Sequence, residues 1–146
     1  MDNRVSLDTV YMEIARIFAK RSSCKRRQVA AVLVKDGRII STGYNGSPRN
    51  TKNCLELNCC MRDGLQSGEN LNHCRASHAE VSCISNAAYH GISTKDTTMF
   101  ITTQPCGNCA KLLINSGIIE IVYEQEYNDE LGLKLLNEAG IKIRKF

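Results

Sequence analysis

The sequence predicts a single α/β domain in the order helix, strand, strand, helix, strand, helix, strand, helix, strand, with helices on both faces of the sheet. Three observations carry this. A β-hairpin follows the first helical pattern, strand-length apolar runs alternate with helical patterns from residue 78 onward, and 146 residues suffice for one core. Strands separated by helices imply crossover connections in the C-terminal half.

Over residues 7–20, Leu7, Val10, Tyr11, Ile14, Ile17 and Phe18 recur at helical spacing, with Ser6 as N-cap. Residues 29–34 are a continuous apolar run, Lys35-Asp36-Gly37-Arg38 a turn and 38–43 a second strand. Residues 44–77 lack periodicity and are rich in Asn, Gly, Ser and Cys. So long a connection inside one domain has to be tied down by something. A helix over 78–89 stops near Gly91, and 98–102 is a strand. A helix over 106–115 ends at Gly117, and 118–123 is a strand. A helix over 129–138 closes at Gly140, and 141–143 is a last short strand. There is no internal repeat, low-complexity tract or second domain.

No apolar run approaches the ~18 residues of a membrane span. Met1-Asp2-Asn3-Arg4 leads into an amphipathic pattern rather than a signal peptide's apolar block, so a soluble, cytoplasmic protein is expected. The formal charge of +4 suits a phosphorylated substrate and is too small to indicate nucleic-acid binding. The 8 cysteines include a C-x-x-C pair and lie in a chain with ordinary helix and strand patterns, which favours metal binding over a disulfide scaffold.

His78-Ala79-Glu80 and, later, Pro105-Cys106-Gly107-Asn108-Cys109 carry the chemistry. One imidazole and two thiolates can hold zinc with one position left for water, and Glu80 is a carboxylate close enough to move that water's protons. This is the arrangement of zinc deaminases acting on nucleobases. Each motif opens a predicted helix, so Cys106 and Cys109 fall on one face of a first turn, where a helix N-terminus favours thiolate. Glu80 would pass the water proton to the ring nitrogen beside the amine-bearing carbon, and a second transfer would release ammonia. Taken singly, the C-x-x-C could be a redox pair or zinc knuckle and the His-Ala-Glu a surface tripeptide.

Nearly end to end, the chain resembles the deoxycytidylate (dCMP) deaminase family, with a cytidine deaminase-like fold. The resemblance is carried by Ser23-Cys24-Lys25-Arg26-Arg27, by the hairpin leading into Gly43-Tyr44-Asn45-Gly46-Ser47-Pro48, and by Ser67-Gly68-Glu69 through Cys74-Arg75-Ala76-Ser77-His78-Ala79-Glu80. The Pro105 segment, Leu113-Ile114-Asn115-Ser116-Gly117-Ile118 and Tyr127 complete it. It implies a three-layer α-β-α domain with a five-stranded mixed sheet and the hydrolysis of dCMP to dUMP and ammonia, a step in thymidine nucleotide supply. It also implies a hexamer regulated by dCTP and dTTP, with Mg accompanying a nucleotide effector. Asn45 would contact sugar or base, Arg26 the 5′-phosphate, and Tyr127 would close over the nucleotide. Their other readings are a Tyr-Asn-Gly turn, a solvated member of the 20–27 basic cluster, and a half-buried aromatic. The chain departs from the family at Ser82, where Asn is usual, and at Ala30-Ala31, where Gly-Ala is usual.

Cys24, Cys54, Cys59 and Cys74 remain once the catalytic pair is assigned, and three of them lie in the long connection. A second, structural zinc held by these four would stitch that connection to the end of the first helix, as many family members do. His73 is an alternative ligand and Cys60 a lesser one, with buried free thiols as the other reading. Cys83 reads as a small buried residue inside a helix. Two functions stay beside dCMP deamination: action on another cytosine nucleotide such as dCTP or a 5-substituted dCMP, and a tRNA deaminase or non-catalytic nucleotide binder. The intact Glu80 argues against the binder.

Overall fold

Ser6 Oγ accepts the Thr9 N–H at 3.1 Å and opens helix α1 (Leu7–Ala19), whose Tyr11, Met12, Ala15 and Ala19 are buried on one face. The computed structural model describes residues 1–146. Strands β1 (Ala30–Lys35) and β2 (Arg38–Tyr44) pair antiparallel around Asp36 and Gly37, whose φ of 50° and 71° make the left-handed two-residue turn that a tight hairpin requires. β1 begins one residue later than the sequence suggests. The Val29 N–H donates to Asn45 Oδ1 instead of a ladder carbonyl, and the Asn45 N–H returns to Val29 O.

After the long connection come α2 (Ala79–Tyr89), β3 (Thr97–Thr103), α3 (Gly107–Asn115), β4 (Ile118–Gln125), α4 (Glu130–Glu138) and β5 (Lys142–Lys145). The five strands lie in the order β2-β1-β3-β4-β5, antiparallel up to β3 and parallel beyond, so the sheet is mixed as expected. β5 is displaced toward the C-terminus relative to 141–143. Its register sets Ile143 against Ile121, while Ile141 tucks into the core ahead of the strand.

Alternate residues of the central strands feed two cores. Val32, Val34, Phe100 and Val122 meet α1 on one face. Ala31, Leu33, Met99, Ile101 and Ile121 meet α2, α3 and α4 on the other, through Ala79, Cys83, Ala110, Leu113 and Leu136. Successive right-handed crossovers proceeding in one direction across the sheet deliver their helices to the same face, which explains the distribution of one helix against three. No helix is long and apolar enough to cross a membrane.

The connection between β2 and α2 contains only one short 3-10 turn, Leu71–His73. Its ends are clipped together by an isolated bridge, with Ser77 N–H to Gly46 O at 2.8 Å and Gly46 N–H to Ser77 O at 3.2 Å. Arginine donors hold its backbone. Arg26 reaches Arg62 O (2.6 Å) and Leu65 O (2.7 Å), and Arg62 reaches Glu69 O (2.7 Å) and Gln66 O (3.1 Å).

Candidate active site

Two helix N-termini build the site. β2 crosses α2 so closely that a Cβ on Gly43 would stand 2.3 Å from Cys83 N and 2.7 Å from Ala79 O, which makes glycine necessary where the first turn of α2 meets the sheet. His78 is the N-cap of α2 and Cys106 the N-cap of α3, both in extended backbone. Sequence spacing suggests first-turn positions for both. As caps whose side chains bond no helical N–H, they are free to point across the gap between the two helices. Asp129, the N-cap of α4, accepts the Gly132 N–H through Oδ1 (3.0 Å) and the Gly107 N–H through Oδ2 (2.8 Å), which fixes the turn carrying Cys106. Asp129 has no sequence signal beyond an ordinary cap, because its second bond joins elements distant in the chain.

His78 Nδ1 lies 3.6 Å from Cys106 Sγ and 3.4 Å from Cys109 Sγ. At tetrahedral angles, metal–ligand lengths of about 2.1 Å for nitrogen and 2.3 Å for sulfur separate such donors by about 3.6 Å, so the three side chains fit a zinc ion. They are also the only group of three or more His, Cys, Asp or Glu side chains whose ligand atoms all lie within 4.8 Å of one another. Hydrogen bonding from the Cys109 thiol, and then from His78, lowers the Cys106 pKa to about 4 against burial. Its role as donor to Cys106, together with burial, drives Cys109 upward. A bound divalent cation would take the place of that shared proton and hold both sulfurs as thiolates. The hydrogen bond to Cys106 raises His78, against burial and the charge of Arg62.

Glu80, in the first turn of α2, is 4% exposed. Burial pushes its carboxyl up to about 7, opposed by a backbone N–H and the charge of His78. It lines a cavity of about 230 Å³ together with His78, Cys106, Asn45, Arg26 and Tyr127, so every expected catalytic and substrate-contact residue meets one space. Asn45 contributes an amide already engaged: Oδ1 accepts from Ser22 Oγ (2.6 Å) and Val29 N–H (2.9 Å), and Nδ2 donates to Arg27 O (2.7 Å). The Tyr127 ring lies 5.3 Å from the Arg27 guanidinium, and its carbonyl accepts from Gln104 Nε2. Arg27, from the Ser23–Arg27 segment, lines the cavity as well, and so do Arg62 and Gln104, for which nothing local in the sequence signals a site.

The second thiol set is a looser neighbourhood. Cys54 is raised by burial and then by Cys60, Cys24, Cys74 and Cys59 in decreasing order. Cys54 and Cys60 are buried at 5% and 9%, while Cys24, Cys59 and Cys74 are half-buried and His73 is exposed. Cys24 Sγ accepts the N–H groups of Arg26 (3.4 Å) and Arg27 (3.5 Å), and Cys60 Sγ that of Arg62 (3.4 Å). Cys83 is a fully buried thiol in α2, as expected. Ser82 faces away from the metal ligands, onto a second cavity with Ser47, Arg49, Ser77 and Asn86.

The mixed sheet with an imidazole, two thiols and a buried carboxylate at paired helix N-termini defines the zinc-binding deaminase class of α/β domains. The model of the cytidine and deoxycytidylate deaminase zinc-binding region matches residues 5–125, and the chain belongs to that family. It is 38% identical to the deoxycytidylate deaminase of Saccharomyces cerevisiae over 98% of this chain and 46% of that protein. To the deoxycytidylate deaminase of Enterobacteria phage T4 it is 33% identical, covering 90% and 86%. The chain thus spans about half the length of the curated yeast relatives it matches. Among solved structures, the dCMP deaminase of cyanophage S-TIM5 in complex with dCMP and dUMP superposes with a TM-score of 0.83 at 28% identity, covering 99% of this chain and 100% of that one.

Proposed function

We propose that this domain hydrolyses dCMP to dUMP and ammonia, with His78, Cys106 and Cys109 holding zinc and Glu80 as proton shuttle. The observation that carries the reading is a buried carboxylate sharing one cavity with His78 and Cys106, which lie with Cys109 at metal-ligand spacing. Bound zinc would supply a polarised water with a pKa near 7. Glu80 accepts the proton of the attacking water and gives it to the ring nitrogen. The water oxygen bonds to the amine-bearing carbon, Glu80 then takes the remaining proton from that oxygen and gives it to the amine, and the carbon–amine bond breaks to release ammonia as the carbon–oxygen double bond forms. Asn45, Arg26 and Tyr127 form the wall against which the nucleotide sits. The relatives named deoxycytidylate deaminase and the superposable dCMP-bound structure support this substrate class. Ultraviolet absorbance during incubation with dCMP, dCTP, deoxycytidine and a tRNA tests it. A preference for dCMP is expected, and turnover of dCTP or tRNA alone would overturn the assignment.

A structural zinc in the second thiol set extends the same reading. Cys24, Cys54, Cys59 and Cys74 are its ligands, with His73 or Cys60 as the alternative, and the burial of Cys54 among the other thiols supports the reading. Two zinc ions per chain are expected, falling to one in Cys54→Ser. A count of one in the parent would remove the site. The polar cavity at Ser82, with the buried unpartnered Ser47 hydroxyl beside Arg49, is the natural seat for a dCTP or dTTP effector with Mg. A cytoplasmic homo-hexamer is the assembly this reading carries.

A further inference from the structure

Arg62 is a buried guanidinium with no counter-charge. It is 7% exposed, and no acidic side chain lies within 4.0 Å of it. Nε and Nη2 are spent on the carbonyls of Glu69 and Gln66, whereas Nη1 makes no hydrogen bond. The one unpartnered side-chain polar atom sealed away inside the protein is Ser47 Oγ, so Nη1 stays accessible, and Arg62 lines the cavity of Glu80. An unpaired buried cation is strongly unfavourable unless an anion joins it.

The neighbouring arginines are placed differently. Arg26 donates both Nη atoms to Arg62 O and Leu65 O and therefore clamps the backbone that presents Arg62. Arg27 is exposed and lies against the Tyr127 ring. Three guanidinium groups face this cavity against one carboxylate, Glu80, and among the three only Arg62 combines burial, two orienting carbonyl bonds and an unspent donor. Such a donor is already ordered before a ligand arrives, which favours tight recognition of an anionic oxygen.

We propose that Arg62 is the specificity-determining residue for the substrate's 5′-phosphate, donating from Nη1, and that Arg26 is its positioning residue rather than the phosphate contact. The inference rests on the cytosine-nucleotide reading of this cavity. A charge-assisted hydrogen bond in a sheltered site discriminates by about 10- to 150-fold.

The test compares kcat/KM for dCMP and deoxycytidine in the parent, Arg62→Gln, Arg62→Lys and Arg26→Gln, with calorimetric binding of dUMP and deoxyuridine alongside. Arg62→Gln should lower the dCMP-to-deoxycytidine ratio by 10- to 150-fold, and Arg62→Lys should give an intermediate ratio because an ammonium cannot reproduce the fork. Loss on both substrates with the ratio preserved is what a loosened loop would produce, and it would overturn the proposal. A ratio that falls in Arg26→Gln but holds in Arg62→Gln would return the phosphate to Arg26. If Arg62→Gln does not fold, the ratio in Arg62→Lys decides: a fall supports the assignment and an unchanged value overturns it. Should the parent turn over no cytosine nucleotide, the functional reading fails by itself and binding decides this one. Preference for dUMP over deoxyuridine that is lost in the Arg62 variants supports the proposal, and equal affinities overturn it.

Discussion

Glu80 reaches its position because α2 starts where the bridge between Gly46 and Ser77 ends, so the first turn of the helix points its carboxylate into the cavity. The proposed role makes a specific demand. Glu80→Gln keeps the shape of the side chain but cannot take a proton, and turnover should fall by about 10²- to 10⁴-fold while zinc content stays at the parent value. Activity within tenfold of the parent would remove Glu80 from proton transfer. His78, Glu80, Cys106 and Cys109 are readable in the sequence because each motif is local and its residue types have few other joint uses. Arg62 and Gln104 are not readable, since each enters the cavity through contacts between segments far apart in the chain. The long connection also has no periodicity from which side-chain direction follows.

Elements were recognisable wherever burial was periodic, and their ends shifted where a side chain replaced a backbone partner. Val29, bonded to the Asn45 side chain, and the extended caps His78 and Cys106 are the clearest cases. At this scale the placement of α2 depends on a missing side chain. Gly43→Ala would force a methyl against the backbone of Cys83 and Ala79, and overpacking of this kind costs about 1–3 kcal/mol. Urea denaturation should show that loss, accompanied by weaker zinc retention because His78 moves with the helix. A loss below about 0.5 kcal/mol with unchanged metal content would mean that α2 shifts freely and that this contact does not position the site.

Across the whole molecule, the α1 layer is tied to the β5 edge of the sheet by Arg144. Its Nη1 meets Asp8 of α1 at 2.5 Å and its Nε meets Glu120 of β4 at 2.6 Å. Burial raises the Glu120 pKa, but the hydrogen bond and charge of Arg144, with Lys142, outweigh it and hold the carboxyl below its ordinary value. A depressed folded pKa stabilises above the unfolded value, about 4.3, and that contribution disappears as pH falls through the folded value. Arg144→Met should therefore lower stability at pH 7 and flatten its decline on acidification below about pH 5, read from urea midpoints. Parallel pH profiles for parent and variant would show that the bridge contributes nothing through Glu120.

The order and type of the nine principal elements and the zinc-ligand triad with its acid were determined by the sequence alone, because periodic burial and short-range motifs are properties of neighbouring residues. Only the tertiary structure decided that α1 stands alone on one face, because that follows from strand order and the direction of the crossovers. It likewise decided that Cys60 is buried beside Cys54, and that Arg62 is enclosed without a counter-ion at the cavity wall. Both residues lie in the aperiodic connection, where the chain's path is set by hydrogen bonds from Arg26 and Arg62 to distant carbonyls rather than by any local preference of its own.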